Sequence, residues 1–193
     1  MSTIHKDTYK SKYQDWRTPI ELIKAVLEWE TLDRFNMDVA CSDMLIPALR
    51  YGMADRICDV KGYTNTNFNG LTAEWQNDCT KNAINWMNPP FDQAKDFIKK
   101  AHAEIQNDVT TWAILPADRT NTIYYQKYVM PNELMFYFQG KFKFWHPEAE
   151  NQDGCRNPIM LTVFTNNASY KLSHIKKGFE KFMNKRGFKG VCR

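Results

Sequence analysis

No apolar run in this sequence approaches the roughly 20 residues that a membrane-spanning helix needs, so no membrane partner is expected. The first dozen residues are polar, which argues against a secretory signal there. Cysteine is scarce and without pattern. Cys41, Cys58, Cys79, Cys155 and Cys192 make an odd number, and no C-x-x-C spacing occurs. A disulfide framework and a zinc site are both disfavoured; no metal is expected, and a reducing cytoplasm fits. Internal repeats and low-complexity tracts are also missing. A length of 193 residues is then the ordinary size of one domain with small appendages.

Apolar and aromatic material is plentiful. Hydrophobic residues make up 43% and aromatics 14%, enough for a packed core and too much for disorder. Most aromatics fill cores, but exposed ones serve as platforms for nucleobases. The net charge of +4 is mild, and its distribution says more. From Lys171 onward there are eight Lys or Arg and one acid, Glu180. Such a segment suits phosphate contact or a solvated helix face. The expected organisation is a mobile basic arm over 1–14, a main domain over 15–170, and a basic helix or tail over 171–193 that is part of that domain or packed on it.

Hydrophobic periodicity supplies the elements. A helix is predicted over 20–30, with Thr18 as N-cap, Pro19 as first helical residue and Glu21 closing a capping box. Strands are predicted over 35–40, 83–87, 110–115, 134–138 and 158–164, and helices from 92, over 123–129 and over 171–184. Residues 41–69 are ambiguous, broken by Pro47, Gly52 and Gly62. A long loop over 139–157 joins the two late strands, and long loops in compact domains are often functional. The alternation of helices and strands argues for an α/β sandwich with a mostly parallel sheet. Ligands of such sheets bind at the carboxyl ends of the strands, where the turns after 40 and at Asn88 would lie.

The most informative stretch is Asn88-Pro89-Pro90-Phe91, placed between a strand and a helix. It suits methylation of an exocyclic amino group. The lone pair of such a nitrogen is conjugated with its ring, so the nitrogen is a poor nucleophile. Acceptors on both of its N–H bonds push it toward tetrahedral geometry and localise that lone pair. Asn88 Oδ1 supplies one acceptor and the Pro89 carbonyl another, while the two prolines stiffen the turn. Phe91 offers a flat face for a base turned out of its stack. Catalysis of this kind is mainly positioning, which fits a motif without His, Glu or Cys. The plainer reading is a rigid strand-to-helix turn.

Five stretches, within residues 15–164, resemble the phage-type, Dam-like DNA N6-adenine methyltransferases. Trp16-Arg17-Thr18-Pro19 resembles the family's opening W-x-T-P. Met37-Asp38-Val39-Ala40 resembles its L-D-x-A segment. Asn88-Pro89-Pro90-Phe91 matches N-P-P-Y/F. Leu115-Pro116-Ala117, with the later Gly140-Lys141-Phe142-Lys143-Phe144, resembles its L-P-A and G-R-x-x-F. The resemblance implies a Rossmann-like class I methyltransferase fold in which the late strand pair is antiparallel. It implies S-adenosylmethionine as cofactor, with Thr18 and Pro19 holding its methionine part and Asp38 and Ala40 on the cofactor strand. Trp16 would cover the cofactor or pack under the first helix. It implies DNA as substrate, double-stranded by preference, and a viral gene marking DNA against restriction in the host cytoplasm. The sequence departs from the pattern in places. Cys41 and Ser42 stand where a glycine-rich loop is usual, Asn69-Gly70-Leu71 stands for Asp-Gly-Leu, and Lys141 stands for Arg. Asp55 and Asp59 are the candidates for the ribose hydroxyls.

Arg119, after a strand end, suits a phosphate contact or a surface ion pair with Asp118. Lys141 and Lys143 alternate with Phe142 and Phe144, which in a strand puts lysines on one face and rings on the other. The lysines are then available to phosphates. His146, beside Trp145, is a further candidate for DNA contact. The same chemistry on RNA adenine, cytosine N4 or a glutamine amide, and a non-catalytic nucleic-acid-binding module, remain alternatives. A core of this kind uses most of the chain, so base readout is expected from loops, with a short recognition sequence or weak preference.

Overall fold

The computed structural model describes residues 16–41, 46–53, 69–76, 83–132, 134–146, 155 and 157–193. The expected arm over 1–14, Asp55, Asp59 and much of the 139–157 loop lie outside the described residues.

Along the chain come α1 (Ile20–Trp29), β1 (Phe35–Cys41), β2 (Ala48–Met53), β3 (Ile84–Met87), α2 (Ala94–Glu104), β4 (Thr110–Pro116), α3 (Ile123–Tyr128), β5 (Met135–Phe138), β6 (Ile159–Phe164), α4 (Ser173–Lys185) and β7 (Gly190–Cys192). The strands form one sheet of seven in the order β2-β1-β3-β4-β6-β5-β7. Pairing is parallel from β2 through β1 and β3 to β4. It is antiparallel at β4–β6, β5–β6 and β5–β7. The α/β sheet with a parallel centre and an antiparallel late pair is as expected.

Both faces of the sheet are covered, which explains the unbroken burial of β1 and β6. Side chains alternate across the sheet. Trp112 and Ile114 of β4 join Leu22, Val26 and Phe179 on the side of α1 and α4. Ala113 and Leu115 join Phe97, Ile98 and Tyr125 on the side of α2 and α3. The fully buried rings of Trp86 and Trp112 anchor the first layer, and that of Trp75 the second.

The start of α1 differs from expectation. Pro19 is the N-cap residue, no side chain caps the helix, and the ladder begins at the Pro19 carbonyl. The cause lies upstream. Arg17 is held in an antiparallel bridge to Trp145, through Arg17 N–H to Trp145 O at 2.7 Å and Trp145 N–H to Arg17 O at 2.9 Å. The Thr18 hydroxyl does not cap; it is buried and has no hydrogen-bond partner among the described residues. Strand β2 lies within the segment left ambiguous, and β7 was not expected.

Candidate active site

Strand direction decides which residues can meet. Strands β1, β3 and β4 are parallel, so Cys41, Met87 and Pro116 end at one edge of the sheet. Strand β5 also runs toward that edge, because Tyr137 pairs with Met160 near the start of antiparallel β6. Among the described residues four segments therefore converge there: 16–19, 88–91, 117–119 and 139–146. After β1 the chain goes to β2 on one side and returns to β3 on the other. The crevice between β1 and β3 is thus a switch point of the kind where α/β sheets bind ligands.

Asp38 and Ala40 lie on one wall of that crevice. Both are buried, and Ala40 N–H donates to Asp38 Oδ1 at 3.4 Å. On the other wall Asn88 follows β3 directly, with Pro89 buried beside it. The Asn88 side-chain amide donates to the Trp16 carbonyl at 3.1 Å. This contact brings the opening Trp16-Arg17-Thr18-Pro19 stretch to the Asn88-Pro89-Pro90-Phe91 string across 72 positions of sequence. Phe91 is 44% exposed, unusual for a large ring in a well-packed chain. Among the described residues its ring meets Phe144, edge-to-face at 6.5 Å.

The floor under this edge is held by local chemistry. Gly70 packs against β1 so closely that a Cβ there would lie 1.8 Å from the Val39 carbonyl oxygen. Asn69 Oδ1 accepts from Leu71 N–H at 2.8 Å, so the residue in the usual acid's place closes a turn. Tyr125 donates to the Pro116 carbonyl at 2.5 Å and ties α3 to the end of β4. Burial pushes the Tyr125 phenol far up, so it stays a donor.

The 140s loop leaves β5 through Gly140, whose φ of 78° lies in the left-handed region that glycine adopts without strain. The alternation read from sequence holds as burial: Lys141 and Lys143 are exposed, while Phe142 and Phe144 are buried. It does so without a strand, because Phe142 and Phe144 pack on each other and Phe142 on Phe138. Arg119 is exposed and 3.6 Å from Asp118, a surface pair of neighbours. His146 differs from the other three candidates for DNA contact. It is 7% exposed, with its ring edge-to-face on Trp16 at 5.6 Å. Its ring is therefore less open to solvent than the side chains of Arg119, Lys141 and Lys143.

Burial pushes the Cys155 thiol up, and that of Cys192 up to about 12. Neither is a thiolate nucleophile at neutral pH. Among the described residues, Asn88, the buried Pro89 and the exposed Phe91 ring stand together at this edge.

A family model described as DNA N-6-adenine-methyltransferase (Dam) matches residues 5–185. The chain belongs to this family. The Dam family is one of methyltransferases acting on adenine N6 in DNA, as the resemblance implied. The matched span includes all four converging segments and ends with α4. No curated protein matches the chain. Sequence reasoning did not assign Arg17 or Trp145 a role, although Arg17 pairs with Trp145 by backbone and by its guanidinium over the indole at 4.8 Å. A long-range pair of this kind leaves no periodic mark in the sequence.

Proposed function

We propose that this chain transfers a methyl group from S-adenosylmethionine to the N6 amino group of adenine in DNA, on a Rossmann-like class I scaffold, with duplex DNA favoured and sequence recognition short or weak. The observation that carries the reading is the position of Asn88-Pro89-Pro90-Phe91. The string follows β3 at the switch point, across the crevice from Asp38, with a half-exposed ring at its end.

The residues fit the cofactor. The buried Thr18 hydroxyl has no partner among the described residues, and a polar atom left so is costly unless a ligand satisfies it. A carboxylate at Asp38 suits the ammonium of the methionine part. Thr18, Pro19, Asp38 and Ala40 would hold the group, with Trp16 at its rim. The cofactor supplies an electrophilic methyl on a sulfonium. Asn88 Oδ1 and the Pro89 carbonyl accept from the target amino group and localise its lone pair. Phe91 stacks on the base and fixes its plane. Lys141, Lys143 and Arg119 are exposed near the same edge and suit phosphates. His146 supports Trp16 from within.

The test is product analysis. The protein is incubated with S-adenosylmethionine and mixed-sequence duplex DNA, the DNA is digested to nucleosides, and methylated bases are identified by mass spectrometry. Asn88→Ala and an RNA substrate run alongside. N6-methyladenine from DNA is expected. Asn88→Ala should cut turnover on the order of 100-fold, as loss of a preorganised hydrogen-bonding group does, with cofactor affinity kept. Methylation of RNA or cytosine alone would replace the substrate assigned here. Cofactor binding with no methylated base would point to a protein amide, and no cofactor binding to a non-catalytic nucleic-acid-binding module.

A further inference from the structure

The Asn88 side chain has two ends of opposite character, and only one is useful to an amino group. Oδ1 accepts hydrogen bonds; Nδ2 donates them. A target –NH₂ needs the acceptor. An amide turned by 180° would offer it a second donor, and the reacting nitrogen would keep its lone pair in conjugation. Something must therefore choose between two nearly isosteric rotamers. The Trp16 carbonyl does so. A backbone carbonyl only accepts, and it lies 3.1 Å from Nδ2. The turned rotamer would set two oxygens against each other at that distance.

Trp16 is itself held by the 140s loop. Two backbone hydrogen bonds join Arg17 to Trp145. The Arg17 guanidinium covers the Trp145 indole at 4.8 Å, and the Trp16 ring meets the buried His146 at 5.6 Å. The same loop carries Lys141, Lys143 and Phe144, the last against Phe91. We propose that Arg17 and Trp145 are positioning residues that, through the Trp16 carbonyl, hold the Asn88 amide with its oxygen toward the substrate. The clamp links the loop nearest the expected DNA phosphates to the rotamer that catalysis needs. This inference rests on the amino-methylation reading above for its chemical purpose, although the geometry of the clamp does not depend on it.

Steady-state kinetics of Trp145→Ala, Trp145→Phe, Arg17→Ala and Arg17→Lys test the proposal beside the wild type. Trp145→Ala and Arg17→Ala each remove the cation–ring contact and leave the backbone pairing. We expect kcat to fall about tenfold, the worth of roughly one hydrogen bond in the transition state, with both KM values within about twofold. Trp145→Phe and Arg17→Lys, which keep a ring and a cation, should recover most of the loss. A raised KM for DNA at unchanged kcat would make Trp145 a DNA contact and overturn the proposal, as would wild-type kinetics in the alanine variants.

Nuclear magnetic resonance gives a second readout without turnover. The Asn88 side-chain amide signals, assigned by their loss in Asn88→Ala, should exchange slowly with solvent in the wild type and faster in Trp145→Ala and Arg17→Ala. Unchanged exchange in both variants would overturn the clamp whatever the kinetics. Should the wild type methylate no base, the functional reading fails, and the amide signals alone decide this inference.

Discussion

At the scale of single residues, two side-chain positions carry sharp expectations. Phe91 is exposed where the packing of the chain would favour a buried ring, and it follows the rigid Asn88-Pro89-Pro90 turn. Stacking of a base on such a ring contributes about 1–3 kcal/mol. Phe91→Ala should therefore lower kcat/KM on DNA by roughly 5- to 160-fold. Phe91→Tyr and Phe91→Trp, which keep a flat face, should retain most activity. Equal losses in the Ala and Trp variants, measured on one oligonucleotide, would remove stacking as the purpose of the ring. Gly70 is constrained from the opposite direction, by a side chain it lacks. A Cβ 1.8 Å from the Val39 carbonyl oxygen cannot be accommodated without moving β1 or the turn. Gly70→Ala should destabilise the fold by about 3 kcal/mol, at the upper end of overpacking costs. In thermal unfolding that is a fall of roughly 6–12 °C for a domain of this size. Val39 lies between Asp38 and Ala40, so cofactor affinity should fall in the same variant. A melting temperature within a degree of wild type would show that the turn relaxes freely.

Between elements, one tie on the α1 and α4 side of the sheet is a carboxylate. Glu30, which ends α1, accepts from Trp112 Nε1–H of β4 at 2.6 Å and from the Tyr170 hydroxyl in the short 3-10 turn Ala168–Lys171. Burial pushes the Glu30 carboxyl above its ordinary 4.5, and these hydrogen bonds offset only part of that. The sign of the linkage follows. The folded state holds the proton more tightly than the unfolded state, so the stability due to this group is present below pH 4.5 and is lost as pH rises through the raised value. Glu30→Gln keeps an acceptor for both donors and removes the charge. It should melt higher than wild type at pH 7.5, with the gap closing toward pH 4.5. Glu30→Ala should instead cost about 2 kcal/mol or more, because two donors lose their acceptor. A gap that stayed constant with pH would separate Glu30 from the effect. No sequence pattern announced this network, since its members are 82 and 140 positions apart. What local chemistry writes was legible: the buried run of β1, the helical spacing of α2 and the proline-stiffened turn after β3. What distant contacts write was not. The bridge from Arg17 to Trp145 pulls Thr18 away from the end of α1 and leaves Pro19 at the cap. Strand β7 spans three residues, too few for any period, and is fixed by pairing with β5. The candidate site was legible for the same reason as β1, because Asn88 to Phe91 are consecutive; the residues that hold Asn88 are not.

Over the molecule as a whole, charge and topology divide the work of meeting DNA. Within this chain the sheet and its helices account for most of the described residues, so contact with a substrate at the carboxyl edge falls to the segments that converge there. The net charge of +4 is too small to hold a duplex by long-range attraction alone. Local lysines then matter individually. Lys141 and Lys143 are exposed on either side of the buried Phe142, held by rings packed beneath them. Phosphate contacts of this kind carry no sequence information, and each releases close to one counterion on binding. Lys141→Ala and Lys143→Ala should each weaken binding to all duplexes alike and reduce the slope of log K against log salt by about 0.9. The ratio between the best and the average sequence should not move. That ratio should itself stay below about 10³, the lower end for dedicated sequence readers, because the sheet and its helices take up most of the described residues. Binding titrations across salt on a panel of short duplexes measure both quantities. An unchanged slope would leave these lysines facing solvent, and a changed ratio would make them readers of bases.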